Sequence, residues 1–237
     1  MNIKKHIPNT ITLLNLFCGC IALVSVSKDD YYFAFYFVCL GIFLDFFDGF
    51  FARLFNVSSP LGLQLDSLAD MVTSGVVPGF VMFKLFGLDA AFGSDSYWPY
   101  IGFVITLGAC YRLANFNIDI RQSNSFIGLP TPANALFFLS IPLFLENYLL
   151  NDSVPEFLFN KWFYIVLCFL SAIIMNAEIP LFSLKIKNFN VGTHWLQIIF
   201  LVLSLLFLLL FKFTGIPIII IVYILLSVVN NKIMKNK

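Results

Sequence analysis

The sequence predicts an all-α protein that crosses a membrane several times, a polytopic bundle of about eight transmembrane helices. Two observations lead to this fold class. Of the 237 residues, 60% are hydrophobic and only 11% are charged, whereas soluble domains average about 45–50% apolar and about 25% charged residues. The apolar runs are also continuous rather than alternating, which favours helices over the strands of a membrane barrel. A net charge of only +1 predicts no nucleic-acid partner.

Eight apolar segments are long enough to cross a bilayer. A transmembrane helix needs about 20 predominantly apolar residues. Proline, glycine, serine and asparagine mark most of the breaks between the segments. The predicted spans are 8–27, 31–53, 61–86, 97–117, 132–150, 158–178, 193–211 and 214–231.

The distribution of lysine and arginine predicts that both termini face the cytoplasm. Cytoplasmic ends of membrane helices carry an excess of these residues. In this orientation ten basic residues lie at inner ends and loops: Lys4, Lys5, Arg53, Arg112, Arg121, Lys185, Lys187, Lys232, Lys235 and Lys237. Four lie at outer ends: Lys28, Lys84, Lys161 and Lys212. The segment from Asp45 to Asp70 is therefore expected at the cytoplasmic ends of the second and third helices.

Four aspartates interrupt the apolar sequence where the second predicted span ends and the third begins. Asp45 and Asp48 are three residues apart, and Asp66 and Asp70 are four apart, so each pair shares one helix face. The short link NVSSP makes the two helices antiparallel neighbours, so the two pairs can converge. An ionisable residue near the membrane centre costs at least about 2.5–3.5 kcal/mol. Such a set indicates a site rather than four solvated helix ends.

Converging carboxylates predict a site for divalent cations. Without compensation they would repel one another, and most would have to bind protons. Hard divalent ions take oxygen ligands, and two of them would balance the four negative charges. Two-metal sites of this kind bind phosphate groups and stabilise the charge that develops during displacement. We therefore predict that Asp45, Asp48, Asp66 and Asp70 hold divalent metal, as two ions.

These aspartates belong to a longer pattern, D-x2-D-G-x2-A-R-x8-G-x3-D-x3-D, which begins at Asp45 and ends at Asp70. The pattern resembles the signature of the CDP-alcohol phosphatidyltransferases, with no departure at any defining position. The resemblance implies a six-helix catalytic core with a site open to the cytoplasm, and a homodimer. It also implies a reaction in which an alcohol attacks a CDP-linked lipid and releases CMP, with Mg²⁺ or Mn²⁺ as the metal. We assign residues 1–190 to this core and 191–237 to two additional C-terminal helices with a basic tail.

The resemblance also implies roles for individual residues. Asp45, Asp48 and Asp66 would be metal ligands, and Asp70 would be both a metal ligand and the general base. A nearby carboxylate suits that role, because an alcohol is a poor nucleophile until its proton is removed. The residues that would shape the nucleotide pocket are Gly49, Ala52, Arg53 and Gly62.

Three further segments indicate which alcohol reacts. Residues 7–24 resemble the Pro-Asn-x2-Thr-x2-Asn-x3-Gly opening of the membrane-integral bacterial phosphatidylserine synthases of this family. Residues 111–118 resemble their Arg-Leu-Ala-Arg-Phe-Asn segment but carry Asn115 where arginine is usual. Residues 126–135 resemble their Gly-Leu-Pro-x-Pro-Ala stretch. The resemblance implies CDP-diacylglycerol and L-serine as substrates and the bacterial inner membrane as the location.

Four polar residues outside the signature are further candidates for substrate binding. Asn9 and Thr12 lie at the inner end of the first helix, where they could bond the cytidine or a phosphate, or simply cap the helix. Arg112 and Arg121 lie at the cytoplasmic end of the fourth helix, where a phosphate or the serine carboxylate would arrive. The forked donors of arginine suit both anions. Positive-inside charge is the alternative explanation for both arginines.

Two other functions are compatible with parts of the pattern. A related transferase could use a glycerophosphate or an inositol phosphate, but an acceptor with its own phosphate would require a cluster of basic residues. A cation transporter could use the aspartates as an ion path, but polar residues would then continue across the membrane. The second and third helices instead become apolar away from the aspartates, as in YYFAFYFVCLGIF, residues 31–43.

Overall fold

The computed structural model describes residues 6–87, 97–119, 126–149, 160–181 and 191–235. Almost all of these residues are helical, so the predicted fold class is confirmed. The helices are α1 (Ile7–Ser27), α2 (Tyr31–Leu54), α3 (Pro60–Asp70), α4 (Val77–Gly87), α5 (Val104–Ile118), α6 (Thr131–Leu149), α7 (Lys161–Asn176), α8 (Val191–Phe211) and α9 (Gly215–Lys235). A π-helical turn, Met71–Val76, joins α3 to α4, and 3-10 turns cover Trp98–Phe103 and Lys212–Thr214.

Within the described ranges, five helical segments have the length and apolar composition of membrane spans. They are Ile7–Ser27, Tyr31–Leu54, Pro60–Gly87, Trp98–Ile118 and Trp195–Asn231. Shorter apolar helices cover Thr131–Glu146 and Lys161–Asn176. Every predicted span therefore coincides with a helix, and the chain is a polytopic membrane protein. The number of eight crossings stays a prediction, because the described apolar parts of α6 and α7, Thr131–Glu146 and Lys161–Asn176, are shorter than the other spans.

The segment Trp195–Asn231 consists of two helices, α8 and α9. The chain reverses direction at the turn Lys212–Thr214, where Lys212 has a φ of 49°. The rings of Phe200 on α8 and Tyr223 on α9 then lie 5.4 Å apart, each about the same distance along the chain from the turn. The predicted division into two C-terminal helices thus agrees with the structure.

The third span contains the π-helical turn between α3 and α4. The N-terminus of α3, where this span starts, is well defined. Pro60 occupies the first turn, and the Ser59 side chain accepts a hydrogen bond from the Gly62 amide at 3.0 Å. The π-helical turn begins directly after Asp70. Such turns occur inside α-helices, frequently at functional sites. Nothing in the hydropathy pattern predicted it.

Two apolar clusters hold the helices together. One joins the C-terminal end of α1 and the N-terminal half of α2 to α4 and α6. Its members include Val26, Val38, Val81 and Leu139, all essentially inaccessible to solvent. The other joins α4, α5, α6, α7 and α9. Because small and branched side chains fill the first cluster, α1 and α2 pack closely as an antiparallel pair. The polar ends of these helices are thereby placed beside α3.

A two-stranded antiparallel sheet, β1 (Phe126–Ile127) with β2 (Pro180–Leu181), was not predicted. It ties the segment before α6 to the segment after α7. Gly128 follows β1 with a φ of +74°, and a Cβ there would lie against the main-chain oxygen of Met175. Only glycine fits this backbone conformation and this close approach. Strands of two residues are too short to show an alternating pattern in the sequence.

Candidate metal and substrate site

Three carboxylates from two helices converge at the α2–α3 corner. One oxygen from each of Asp45, Asp48 and Asp66 lies within 4.8 Å of the others. Oxygen ligands bound at 2.0–2.6 Å to one shared ion are separated by at most about 5.2 Å. The three carboxylates therefore fit the requirements of a divalent cation.

Asp70 lies one turn beyond Asp66 and is anchored from another helix. The side-chain amide of Asn15 on α1 donates a hydrogen bond to Asp70 Oδ1 across 3.1 Å. Asp70 interacts electrostatically with Asp45, Asp48 and Asp66 but is not one of the three closely grouped carboxylates. The structure thus distinguishes one carboxylate that is held by an amide from three that face one another.

The first helix supplies the polar side of the site. Thr12 and Asn15 are buried, with 3% and 0% of their surfaces exposed. Thr12 donates a hydrogen bond to the Asp48 carboxylate, and Thr73 in the π-helical turn donates one to Asn15 Oδ1 at 2.9 Å. Sequence reasoning named Thr12 but assigned no site role to Asn15 or Thr73. The available signal was a polar residue every third position on an apolar helix, at Asn9, Thr12 and Asn15.

A polar cleft of about 200 Å³ lies between the start of α1, the end of α2 and the start of α3. Two of the aspartates, Asp48 and Asp66, form one wall. Six of the residues predicted to bind substrate also line it: Asn9, Thr12, Gly49, Ala52, Arg53 and Gly62. The structure therefore brings the glycines, the arginine and the first-helix residues of the prediction to one place.

The two glycines of the cleft leave room that a side chain would take. A Cβ on Gly49 would lie 3.4 Å from the Arg53 guanidinium, which folds back over this position. A Cβ on Gly62 would lie 3.3 Å from both Asn9 Oδ1 and Ser59 Oγ. The packing is thus tight at Gly62, whereas a Cβ on Gly49 would only touch the Arg53 side chain.

Arg112 on α5 lies on the other side of Asp70. Its side chain is buried, with 6% of the residue exposed, and interacts electrostatically with Asp70 and with Tyr223 on α9. One terminal nitrogen donates to the Gly128 main-chain oxygen at 3.4 Å, while Nε has no hydrogen-bond partner among the described residues. A buried donor without a partner is unfavourable, so the Arg112 guanidinium has hydrogen-bonding capacity that the described residues leave unused. Arg121, the other predicted arginine, lies outside the described residues.

A further pair of polar side chains fixes α3 to α5 next to the cluster. Asn117 Nδ2 donates to Ser67 Oγ at 2.9 Å, and the Ser67 hydroxyl lies 3.2 Å from Asn117 Oδ1. Ser67 directly follows Asp66. The pair therefore connects α3, which carries Asp66 and Asp70, to α5, which carries Arg112.

The fold and this site define a polytopic membrane protein in which acidic ligands for a cation lie beside a narrow polar cleft. The sequence profile of the CDP-alcohol phosphatidyltransferases matches residues 5–182. The chain belongs to the CDP-alcohol phosphatidyltransferase family, and it is an enzyme of that class. Members of this family depend on divalent metal, and the aspartate cluster is a group able to hold one.

Several relatives share one name, CDP-diacylglycerol–serine O-phosphatidyltransferase. The Bacillus subtilis protein is 38% identical over 134 residues, which are 54% of this chain and 70% of the relative. The Helicobacter pylori protein is 33% identical over 196 residues, 82% of this chain and 79% of the relative. The Saccharomyces cerevisiae protein is 34% identical over 172 residues, 66% of this chain and 60% of the relative.

Proposed function

We propose that this protein is a phosphatidylserine synthase, which transfers the phosphatidyl group from CDP-diacylglycerol to the hydroxyl of L-serine and releases CMP. The observation that carries the proposal is the convergence of Asp45, Asp48 and Asp66 beside the polar cleft, within the range matched by the family. The names of the bacterial and yeast relatives support serine as the acceptor.

The cleft would receive the cytidine diphosphate part of the lipid. Asn9 and Thr12 would bond the nucleotide or its phosphates, and Arg53 would bind a phosphate oxygen through its forked donors. Gly49, Ala52 and Gly62 would let the nucleotide approach the helix backbone. Asp45, Asp48, Asp66 and Asp70 would hold the metal, Mg²⁺ or Mn²⁺, as two ions. When bound, the metal would screen the diphosphate and the charge that develops on the leaving CMP.

Asp70 would act as the general base. As the serine oxygen forms its bond to the phosphorus that carries the diacylglycerol, the bond from that phosphorus to CMP breaks. The serine hydroxyl proton passes to an Asp70 oxygen. The amide of Asn15 occupies Asp70 Oδ1, which leaves Oδ2 for this proton.

Arg112 would bind the serine carboxylate. It is buried beside Asp70, and its Nε lacks a partner among the described residues, so an incoming carboxylate would complete its hydrogen bonds. Arg121, the other arginine predicted from the sequence, would add positive charge for the same anion. A phosphorylated alcohol would need more basic groups than the single buried arginine found here in the described part of the chain. This favours serine over a glycerophosphate or an inositol phosphate.

A cation transporter is not favoured by the packing. The helices that carry the aspartates continue into a cluster that includes Val26, Val38, Val81 and Leu139, which are all buried and apolar. An ion path would require polar groups there, because an uncompensated ion in such surroundings is strongly unfavourable. The described residues provide none within that cluster.

The membrane arrangement is also part of the proposal. The site would face the cytoplasm of a bacterial inner membrane, with both termini on that side, as the positive-inside distribution predicts. Residues 1–190 would form the catalytic core, and α8 and α9 would be an addition to it. The enzyme would form a homodimer. Labelling of single cysteines placed near the termini, together with native mass spectrometry, would test the orientation and the dimer.

The direct test measures CMP release by the purified protein in mixed micelles of CDP-diacylglycerol. We expect release with L-serine and Mn²⁺ or Mg²⁺, formation of phosphatidylserine, and loss of both when Asp70 is replaced by asparagine. Glycerol 3-phosphate, inositol phosphate and inositol serve as competing acceptors. Faster release with any of these than with serine would contradict the serine assignment, and turnover unchanged by thorough chelation would contradict the metal site.

A further inference from the structure

The hydrogen bond between Asn15 and Asp70 is continued by a third side chain. Asn15 Nδ2 donates to Asp70 Oδ1 across 3.1 Å, and Thr73 Oγ1 donates to Asn15 Oδ1 across 2.9 Å. The Thr73 hydroxyl also lies 3.2 Å from the main-chain oxygen of Asn15. Both Thr73 and Asn15 are fully buried. Two successive hydrogen bonds therefore lead from the π-helical turn, through α1, to the Asp70 carboxylate.

The chemistry of the three groups determines the direction of these bonds. An ionised carboxylate only accepts hydrogen bonds, so Asn15 must turn its NH₂ group toward Asp70. The Asn15 amide oxygen then faces Thr73, whose hydroxyl must donate to it. If the hydroxyl were absent, a buried amide oxygen would lose its donor, which is unfavourable. The amide would no longer be held with its NH₂ group toward Asp70.

The π-helical turn places Thr73 against α1. The turn begins directly after Asp70, and its wider path changes the direction of the side chains that follow. Thr73 and Asn15 are also closely packed. A Cβ on Gly19 would lie 2.6 Å from Thr73 Oγ1, and a Cβ on Gly41 would lie 2.7 Å from Asn15 Oδ1. Both side chains therefore pack directly against glycines of α1 and α2.

We propose that Thr73 is a positioning residue, which holds the Asn15 amide in the one orientation that keeps the Asp70 carboxylate directed at the reacting alcohol. The inference rests on the proposed function, in which Asp70 accepts the alcohol's proton. Thr73 lies behind Asn15 as seen from Asp70 and is not among the residues that line the nucleotide cleft. Its hydroxyl therefore affects the rate of the chemical step and not the binding of either substrate.

The test uses Thr73→Val, which removes the hydroxyl and keeps the shape of the side chain. We expect kcat to fall roughly 10- to 100-fold, as is typical when a group that orients a ligand carboxylate is lost. The KM values for CDP-diacylglycerol and for serine should stay within about twofold, since neither substrate contacts Thr73. Thr73→Ser, which restores a donor, should recover most of the lost kcat. Asn15→Leu, which removes both the donor and the acceptor at similar size, should show the same loss of kcat.

The matched control is Thr106→Val. Thr106 on α5 also donates its hydroxyl to the π-helical turn, at 2.9 Å to the Gly75 main-chain oxygen, but it is not part of the chain to Asp70. We expect its kcat to stay near the wild-type value. Melting temperatures in detergent show whether each variant is folded at the assay temperature.

Three results would overturn the inference: a wild-type kcat in Thr73→Val, a wild-type kcat in Asn15→Leu, or the same loss in Thr106→Val as in Thr73→Val. The assay of the wild-type protein separates this inference from the proposed function. If an alcohol other than serine supports CMP release, the serine assignment fails, and the same variants are compared with that alcohol.

Discussion

The hydroxyl of Thr12 on α1 donates a hydrogen bond to the carboxylate of Asp48 on α2. Both residues are buried, with 3% and 6% of their surfaces exposed. A carboxylate that faces other carboxylates needs donors to keep its orientation in the absence of solvent. The first helix therefore completes a site whose acidic groups all come from the second and third spans.

Loss of the Thr12 hydroxyl should weaken the site. We expect Thr12→Val to lower CMP release roughly 10- to 100-fold, because hydrogen bonds that orient metal-ligand carboxylates typically have effects of this size. Thr12→Ser should recover most of the rate. Thr10→Val is the matched control, since the Thr10 hydroxyl is exposed and bonds the His6 main-chain oxygen instead. An equal loss in Thr10→Val would mean that Thr12 acts on helix stability alone.

Divalent metal should stabilise the folded protein through the aspartate cluster. A ligand at about 100 times its dissociation constant contributes about 2.7 kcal/mol to stability. We expect the melting temperature of the chelated protein to rise when Mn²⁺ or Mg²⁺ is added, and Asp45→Asn to remove most of that rise. Asp30→Asn is the control, because Asp30 caps α2 at the opposite end and asparagine caps equally well. A full metal-dependent rise in Asp45→Asn would contradict the ligand assignment.

Gly41 should be intolerant of a side chain. A Cβ at this position would lie 2.7 Å from Asn15 Oδ1 and 2.9 Å from Thr73 Cγ2. Overpacking of this kind typically costs about 1–3 kcal/mol, and here it would also displace the amide that holds Asp70. We expect Gly41→Ala to lower both the melting temperature and kcat. Gly87→Ala, where a Cβ would meet nothing within 4 Å, should change neither. A fully active and stable Gly41→Ala protein would show that α1 and α2 are less closely packed.

The two arginines should affect different substrates. Arg112→Lys loses the forked donors, so we expect the KM for serine to rise at least about tenfold, the change that corresponds to one charge-assisted hydrogen bond. The KM for CDP-diacylglycerol should change little. Arg53→Lys, in the cleft near Gly49, should show the reverse pattern. Initial rates over a matrix of both substrate concentrations measure the two KM values, and a rise in the same KM for both variants would contradict the assignment.

An ion pair between the turn that joins α1 to α2 and the end of the third span should make a pH-dependent contribution to stability. Lys84 Nζ lies 2.9 Å from Asp29 Oδ1, and this hydrogen-bonded ammonium lowers the pKa of the Asp29 carboxyl below its ordinary value of 3.8. A lowered pKa stabilises the fold at pH values above 3.8, and the contribution is lost as the pH falls through the lower value of the folded state. Because the Asp29 side chain is 54% exposed, solvent screens the pair and the effect should be small.

Asp29→Asn tests this contribution. The wild-type protein should melt slightly above the variant near pH 7, and the difference should disappear as the pH falls well below 3.8. Melting curves at a series of pH values in the same detergent measure the difference. A difference that stays constant down to the lowest pH would contradict a contribution from the charge of Asp29, because asparagine tolerates the φ of 60° at this position as well as aspartate does.

Local patterns in the sequence were sufficient for the fold class, the positions of the helices and the acidic cluster. Apolar runs of spanning length do not depend on distant residues. Helical periodicity places Asp45 and Asp48 on one face, and the short link to α3 brings Asp66 to the same corner. The glycines and arginine of the cleft, Gly49, Arg53 and Gly62, follow from the same spacing.

Only the tertiary structure decided which polar residues meet. Asn15 lies in the middle of the first predicted span and could have been a packing residue, and nothing in its neighbours shows that it bonds Asp70, fifty-five positions away. The burial of Arg112 beneath the Gly128 oxygen likewise depends on the β1–β2 pairing, whose two-residue strands have no periodicity. The physical reason is that hydropathy and helical spacing are properties of one segment, whereas a hydrogen bond between helices depends on how they pack. The π-helical turn that directs Thr73 toward α1 likewise becomes visible only in the packed structure.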